Sequence, residues 1–395
     1  MGGRHDTDDS LLSQDFILPV GESLSINAAT IQTPQQEPRE RPQYDVAVVG
    51  LGVLGSAAAY QAAQRGKKVI AFEQFEFGHV HGASHDTSRI IRTSNPLPEY
   101  VKLARSAYKD WAELEEATGQ KLLTITGGLV FVPREKASPF ESLINTLKVT
   151  NLPHEILNAT EVKKRWPQFD IPDTVDAVYT ADTGIAHASK TVAAMQYLAR
   201  SKGAILKENT PVDRVVPKKE GGVTIQTPKG EFHAAKEQVT YFKPTDTAAF
   251  QPDRFPVWIW GGDPAFYGFP CYGEPTIKAG RDWSNNLMTP EQRTYVQSPQ
   301  LFEQLSSFMK SFIPDKERQP LRTVTCQYTI TPDRQFIISP LDNNKDIIVG
   351  LGAAHAFKFA PAFGRALAEL AIDGRTKEDV SKFGIPKSAC CRSKL

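Results

Sequence analysis

Three glycines and one acid near the start of the chain are the first residues whose types and spacing could do chemistry. Gly50, Gly52 and Gly55 form the pattern G-x-G-x-x-G, and Glu73 follows them. In such a pattern the first glycine allows a tight turn, the second lets the backbone approach a pyrophosphate, and the third lets a helix pack closely on a strand. A helix that begins there offers free N–H groups to the anion, and the acid can bind a ribose hydroxyl. The pattern predicts a dinucleotide site.

The elements around this pattern are the ones that such a site needs. Asp45 to Val49 is a short apolar run, typical of a strand buried on both faces. An alanine-rich helical segment follows to about Arg65, Gly66 ends it, and Lys68 to Phe72 is a second apolar run. The glycines therefore fall at the first turn of a β-α-β unit, and the acid falls at the end of its second strand. This context makes the motif far more specific than the glycines alone.

Composition limits the possible partners. Lys and Arg number 46 against 45 Asp and Glu, so the net charge of +1 gives no basic excess for nucleic acid. No apolar run is long enough to cross a membrane, and no secretory signal opens the chain. The cysteines have neither metal-site nor disulfide-framework spacing; they are Cys271, Cys326, Cys390 and Cys391. We therefore expect no nucleic acid, no membrane and no metal.

The two ends of the chain have their own composition. Residues 1–43 are polar and rich in proline, and we predict a disordered leader. Residues 384–395 form a polar tail that ends in Ser393-Lys394-Leu395. This tripeptide is read by the peroxisomal import receptor, which predicts a peroxisomal location.

Between the ends, helical and strand patterns alternate. Helical spacing marks Glu99 to Thr118, Lys190 to Gly203 and Pro299 to Phe312, while aromatic-rich strands dominate from Val239 onward. We predict the α/β (α+β) class, with a Rossmann-like cofactor domain interleaved with a β-rich substrate domain and a closing C-terminal helix. The predicted unit is 44–383, with cofactor parts at about 44–130, 185–236 and 322–383 and substrate parts at about 131–184 and 237–321.

Four sequence blocks resemble a known family, and they occur in the family's order. They are GLGVLGSAAAYQAAQRGKKVIAFEQ, SHDTSRIIR, CQYTITPDRQFIIS and GLGAAHAFKFAPAFG. Together they resemble monomeric sarcosine oxidase, N-methyltryptophan oxidase and pipecolate oxidase, FAD enzymes of the D-amino-acid-oxidase class. The resemblance implies oxidation of a secondary amine or N-substituted amino acid to an imine, while O2 is reduced to H2O2.

The resemblance also implies a set of cofactor residues. Cys326 stands where the family attaches FAD through a thioether, although a single cysteine is more often a small buried hydrophobe. The residues that the resemblance places at the cofactor are Gly50, Gly52, Val53, Leu54, Gly55, Glu73, Gln74, Ser84, Ser88, Arg89, Val215, Cys326, Phe357 and Lys358.

Two further cations match the residues that bind a substrate carboxylate in this family. Arg92 offers a bidentate fork, and Lys358 lies between two phenylalanines, where a solvated lysine would be unusual. Lys278 matches the lysine that activates O2, since a fixed cation favours formation of superoxide. An outward lysine on an edge strand is the alternative for Lys278.

Four residues match positions near the flavin ring or the substrate. Arg89 and His85 belong to the second block, Tyr328 to the third and His355 to the fourth. We predict that they act in catalysis. A structural hydrogen bond for His85 and simple packing for Tyr328 are the alternatives.

The chain departs from the family in two places. Ala354 and Ala356 flank His355 where the family has glycines, and a positive φ would cost each alanine about 1 kcal/mol or more. A strand that the family has after the position of Lys236 is missing, which would expose a sheet edge and weaken the cofactor site.

Three other functions stay open at this stage. The missing strand raises the alternative of an impaired or non-catalytic paralogue. A flavin dehydrogenase that uses another electron acceptor would share the same motifs. An NAD-dependent dehydrogenase is disfavoured, because it would leave Cys326 and Lys358 unexplained.

Overall fold

The computed structural model describes residues 43–226, 234–282, 284, 287–288, 292–315 and 318–386. From Gln43 onward the chain forms one compact unit. The predicted leader, apart from its last residue, lies outside the described residues. So do most of the tail and its final Ser393-Lys394-Leu395.

Seven helices and nineteen strands make up the described part of the chain. The helices are α1 (Val53–Gln64), α2 (Pro98–Thr118), α3 (Ala137–Val149), α4 (Ala159–Arg165), α5 (Ala188–Ser201), α6 (Pro299–Phe312) and α7 (Ala360–Asp373). The strands are β1 (Val46–Val49), β2 (Val69–Phe72), β3 (Arg89–Ile91), β4 (Leu123–Ile125), β5 (Gly128–Pro133), β6 (Glu155–Leu157), β7 (Val175–Thr180), β8 (Gly184–Ala186), β9 (Ile205–Lys207), β10 (Arg214–Pro217), β11 (Val223–Gln226), β12 (Ala234–Lys243), β13 (Val257–Trp260), β14 (Ala265–Phe269), β15 (Ile277–Asp282), β16 (Leu287–Met288), β17 (Gln319–Thr329), β18 (Ile337–Pro340) and β19 (Ile348–Leu351).

The predicted β-α-β unit is confirmed. β1 and β2 pair in parallel with Val46 opposite Val69, and β9 adds a third parallel strand on the other side of β2. α1 packs on this small sheet and is covered in turn by α5 and α7. Its alanines are almost completely buried, because small side chains let two further helices approach closely. The predicted closing helix is confirmed, and it packs on the helix of the β-α-β unit.

A large mixed sheet forms the β-rich half. Its strand order is β16-β12-β15-β14-β13-β5-β7-β6, and β17 pairs along β12. α6 lies on one face, where Phe308 stacks on Phe266 and Phe312 packs against Trp258. The sheet extends past the predicted limits of the substrate domain, because it includes all of β5 and β17.

Helix α2 ties the closing helix to the rest of the unit. Arg365 of α7 makes buried ion pairs with Asp110 of α2 and with Glu378. Trp111 of α2 is fully buried and donates a hydrogen bond from its indole nitrogen to the carbonyl oxygen of Lys358, at 3.0 Å. A buried charge is stable only when it is paired, so these contacts fix the position of α7 and of the turn that precedes it.

The prediction that β1 of the small parallel sheet is buried on both faces is wrong. β2 is buried as expected, but in β1 Ala47 and Val49 are exposed, and Val49 retains 51% of its accessible surface. Among the described residues β1 pairs with β2 alone, so the peptide groups on its other side face a cavity instead of a neighbouring strand. Lys236, where the missing strand was predicted, lies within β12 of the large sheet.

The turn before α7 allows a test with a matched pair of variants. Ala354 has φ +61, whereas Ala356 has φ −78. Glycine is favoured only at a positive φ, so we expect Ala354→Gly to raise the free energy of unfolding by about 1 kcal/mol. Ala356→Gly should lower it by about 1 kcal/mol or more, because it adds freedom to the unfolded chain and removes a buried methyl group. Urea titration of both variants measures this, and two equal losses would contradict it.

Candidate active site

A cavity of about 680 Å³ lies where the β-α-β unit, the large sheet and the turn before α7 meet. That volume is in the range of ligand sites. Of the predicted site residues, those that line it are Gly50, Gly52, Val53, Leu54, Gly55, Ser84, His85, Ser88, Arg89, Arg92, Val215, Lys278, Cys326, Tyr328, His355, Phe357 and Lys358. Glu73 and Gln74 do not line it.

The glycine-rich loop forms one end of this cavity. Gly50 has φ +87, and a Cβ on Gly55 would overlap the carbonyl oxygen of Gly50. A Cβ on Gly52 would meet the Ser84 hydroxyl at 3.1 Å, and that hydroxyl accepts a hydrogen bond from the backbone N–H of Val53 at 3.0 Å. The start of α1 therefore lines the cavity, and the Ser84 hydroxyl lies beside its first N–H group, where an anion would bind.

Glu73 stabilises the glycine-rich loop but does not line the cavity. Its carboxylate accepts hydrogen bonds from the backbone N–H groups of Leu51 and Phe75, at 2.9 and 3.2 Å, and contacts His79 at 3.4 Å. Burial raises the pKa of Glu73, but the hydrogen bonds from His79 and the backbone outweigh it and leave the pKa below its usual value. The structure thus brings Glu73 to the glycine loop but not to the cavity wall, and Gln74 is exposed.

Cys326 of β17 faces a cation across the cavity wall. Its sulfur lies 3.9 Å from a guanidinium nitrogen of Arg89. That guanidinium is fixed by the carbonyl oxygens of Ser88 and Ala83, at 2.9 and 3.0 Å. A neighbouring positive charge stabilises a thiolate, which is the reactive form of cysteine.

Lys278 and Asp86 form a buried ion pair. The ammonium of Lys278 lies 2.6 Å from the Asp86 carboxylate, which also accepts a hydrogen bond from the hydroxyl of Tyr241. Burial lowers the pKa of Lys278 to about 8 in spite of this partner. Burial alone would raise the pKa of Asp86, but Lys278 and Tyr241 hold it well below its usual range.

Arg92 and Lys358 both line the cavity, and each lies close enough to Asp282 for their charges to interact. Burial lowers the pKa of Arg92 to about 10. Burial and the charge of Arg92 together lower the pKa of Lys358 to about 7. The Lys358 ammonium donates to the carbonyl oxygen of His355 at 2.9 Å, so the turn before α7 sets its direction.

Asp282 and His355 face these two cations. The imidazole Nε2 of His355 lies 3.3 Å from the Asp282 carboxylate, and the ring of Tyr328 meets the imidazole edge-on at 5.3 Å. Burial raises the pKa of Asp282, but His355, Arg92 and Lys358 outweigh it and lower the pKa. This part of the cavity therefore carries both signs of charge.

His85 completes the cavity wall. It is buried, and its Nε2 has no hydrogen-bond partner among the described residues. Burial and the charge of Arg89 lower its pKa to about 4, so the ring is neutral at physiological pH. An unpartnered nitrogen in a buried wall is costly unless a ligand satisfies it.

Sequence reasoning missed Asp86 and Asp282. Each has a signal in the sequence, because Asp86 follows His85 and Asp282 lies four residues after Lys278. On a strand, residues 278, 280 and 282 share one face, so the strand that presents Lys278 must also present Asp282.

Comparison with known proteins identifies the family to which this chain belongs. The family described as FAD dependent oxidoreductase matches residues 45–240. Monomeric sarcosine oxidase from Arthrobacter sp. is 31% identical over 88% of this chain and 97% of its own. The chain belongs to this family of FAD-dependent oxidoreductases. The four blocks predicted this membership, and it is confirmed.

Two other members extend the comparison. Peroxisomal sarcosine oxidase from Homo sapiens is 27% identical over 88% of this chain and 97% of its own. The solved structure of NikD, described as an unusual amino acid oxidase essential for nikkomycin biosynthesis, has a TM-score of 0.74 at 25% identity. It covers 87% of this chain and 97% of its own, so the predicted fold is also confirmed.

The residues present fit FAD as the family's cofactor. The glycine loop leaves room for a pyrophosphate, His85 offers an unpartnered nitrogen, and Cys326 lies beside a guanidinium. In the part of the chain that the structure describes, no cluster of side chains could hold a metal ion. No described helix is long and apolar enough to cross a membrane.

The depressed pKa of Lys358 predicts a pH effect on stability. Its folded pKa is about 7. Its unfolded pKa is about 10, so between these values the unfolded chain binds more protons and stability rises with pH. Lys358→Met removes this dependence. The free energy of unfolding of Lys358→Met minus that of the wild type should therefore be about 2 kcal/mol larger at pH 6 than at pH 9.

Denaturant titration of the FAD-free proteins at both pH values measures this difference. Lys190 is exposed, so Lys190→Met serves as the control and should show no such difference. An equal effect of Lys358→Met at pH 6 and pH 9 would mean that Lys358 keeps an ordinary pKa.

Proposed function

We propose that this protein oxidises a zwitterionic, N-substituted amino acid at the C–H bond beside its nitrogen, with FAD as cofactor and O2 as electron acceptor. The observation that carries the proposal is the presence of Arg92 and Lys358 in the same cavity as the glycine-rich loop and Cys326. Family membership supports the cofactor, and the relatives named sarcosine oxidase support the substrate class.

FAD would lie along the cavity with its pyrophosphate at the glycine loop and its ring toward Cys326. The loop's N–H groups and Ser84 would bind the phosphates, while Val215 and Phe357 would pack against the cofactor. When bound, FAD supplies the two-electron oxidation of the substrate and the transfer of those electrons to O2.

Arg92 and Lys358 would bind the substrate carboxylate. Two desolvated cations in one cavity favour an anion strongly, and a guanidinium can bind both carboxylate oxygens at once. The low pKa of Lys358 would rise when the anion enters, because the anion stabilises the charged ammonium.

Asp282 and His355 would receive the substrate's ammonium group. The Asp282 carboxylate attracts a positive charge, and His355, 3.3 Å away, can take up the proton that the amine must lose before oxidation. Tyr328 would limit the position of the substrate by its edge contact with His355. His85 and Arg89 would face the reacting groups from the opposite wall.

Two finer proposals concern attachment and location. The sulfur of Cys326, 3.9 Å from the Arg89 guanidinium, would replace a hydrogen on a methyl group of the flavin, and the two electrons released would pass to the flavin and then to O2. The terminal Ser393-Lys394-Leu395 would direct the protein to peroxisomes through the import receptor, which suits an enzyme that releases H2O2. The peroxisomal human relative supports this location.

A substrate panel tests the proposed function. The purified protein should be yellow, and N-methylated or cyclic secondary amino acids should give H2O2 and a carbonyl product. Substrate reduction of the flavin with dye reduction but without H2O2 would favour a flavin dehydrogenase. A colourless protein that releases no flavin on denaturation would favour the non-catalytic paralogue.

Removal of one cation tests the carboxylate site. Pipecolate and piperidine differ only by the carboxylate, so their ratio of kcat/KM isolates its contribution. A charged hydrogen bond contributes about 1.5–3 kcal/mol, so Arg92→Met should lower kcat/KM for pipecolate about 10- to 100-fold. The value for piperidine should change little, and equal losses for both amines would contradict the assignment.

Acid denaturation tests the covalent bond. Yellow colour should stay with the precipitated wild-type protein and be lost from Cys326→Ser, because serine cannot form a thioether. Cys271 is a buried cysteine that does not line the cavity, so Cys271→Ser is the control and should keep the colour. Loss of colour from the wild type would refute covalent attachment.

A further inference from the structure

We propose that Asp86 slows the reaction of reduced FAD with O2 by holding the ammonium of Lys278 in a buried ion pair. The inference rests on the proposed function and on the match of Lys278 to the lysine that activates O2 in the family that the sequence resembles. It assigns Asp86 as a positioning residue that sets how much positive charge Lys278 offers to the cavity.

All three N–H groups of the Lys278 ammonium have acceptors within the protein. A lysine ammonium carries three N–H donors. They are taken up by the Asp86 carboxylate at 2.6 Å and by the carbonyl and hydroxyl oxygens of Ser88, both at 3.1 Å. The rings of Tyr241 and Phe269 lie against the same ammonium at 5.6 and 5.0 Å. Lys278 lines the cavity, yet its donors all point at protein atoms.

Asp86 is in turn held as the charged form. Its carboxylate accepts hydrogen bonds from the Tyr241 hydroxyl and from the backbone N–H of Thr87, and Arg89 lies 3.8 Å away. Its backbone has φ +85, a conformation that favours glycine. An aspartate in this conformation is strained, and here the strain places a carboxylate directly on Lys278.

The charge matters for the oxygen step. When bound and reduced, FAD would supply two electrons to O2, and the two protons of the H2O2 product would come from the reduced flavin and solvent. O2 accepts the first electron before it gains a proton, and superoxide, an anion, forms first. An uncompensated cation nearby lowers the energy of that anion, whereas a cation neutralised by a carboxylate in a dry site does so far less.

The variants Asp86→Asn and Asp86→Gly test this. Both remove the charge, and both residues tolerate a positive φ, so failure of one to fold still leaves the other. Bound FAD is reduced by light without any amine and mixed with O2, and the return of flavin absorbance is followed. Asp86 also raises the pKa of Lys278, so either variant should raise the second-order rate constant about tenfold at pH 6, where Lys278 keeps its charge, and should lose this gain at pH 9.

A double-mutant cycle assigns the effect to Lys278 and not to Arg89. The gain from Asp86→Asn should be lost when Lys278→Met is added, whereas Lys278→Met alone should also slow the reaction, because it leaves the Asp86 charge unpaired. Asp110→Asn is the control, because it removes another buried, paired carboxylate that does not line the cavity. It should leave the rate constant unchanged.

Chloride provides a readout without flavin. Chloride is an anion of about the size of superoxide, and its binding to the FAD-free protein can be followed by chloride NMR line width. At pH 6, Asp86→Asn should bind chloride about tenfold more tightly than the wild type, and adding Lys278→Met should abolish the gain.

Two results would overturn the inference. One is an unchanged or slower oxygen reaction in both Asp86 variants at pH 6, and the other is a gain from Asp86→Asn that persists when Lys278→Met is added. A protein that takes up no FAD would overturn both proposals. FAD that reacts with O2 after light reduction, in a protein that oxidises no amine, would overturn the proposed function alone.

Discussion

Charge balance inside a buried cavity constrains the rest of this structure. Arg89, Arg92, Lys278 and Lys358 all line the cavity, and burial opposes the charged form of each. Bringing a charge out of water costs several kcal/mol unless partners compensate it. Asp86 lies against Lys278, while Asp282 lies near Arg92 and Lys358. The remaining positive charge makes the cavity a site for an anionic ligand.

The fold supplies these charges from elements that are rigid for independent reasons. β15 lies inside the large sheet and presents Lys278 and Asp282 from one face. The turn before α7 presents Lys358, and Trp111 of α2 fixes its backbone by a buried hydrogen bond. The positions of these two elements are set by packing and hydrogen bonds outside the cavity. Lys278 and Lys358 therefore keep their places in the site although the nearby charges repel one another.

The cofactor half is less complete than the substrate half. The glycine loop has the geometry of a phosphate site, but β1 has an open edge that faces the cavity, and Val49 is exposed there. In a parallel sheet an inner strand is normally covered on both sides. Ala354 adds a strained backbone to the lining of the same cavity.

The sequence by itself determined the features that depend on neighbouring residues. The glycine loop, the opening β-α-β unit and α6, with Ser298 as its N-cap and Pro299 in its first turn, all arise from local backbone preferences. The resemblance also identified the family and a set of site residues of which all but Glu73 and Gln74 line the cavity. These signals are readable because each lies within one short segment.

Only the tertiary structure decided which charges meet. Asp86 and Lys278 are 192 residues apart, and their pairing depends on how the loop before β3 packs against β15. The same holds for Glu73, which the sequence placed at the ribose but whose carboxylate binds the backbone of the glycine loop, and for β1, which was expected to be fully buried. Ion pairs and sheet neighbours are long-range contacts, and no local pattern encodes them.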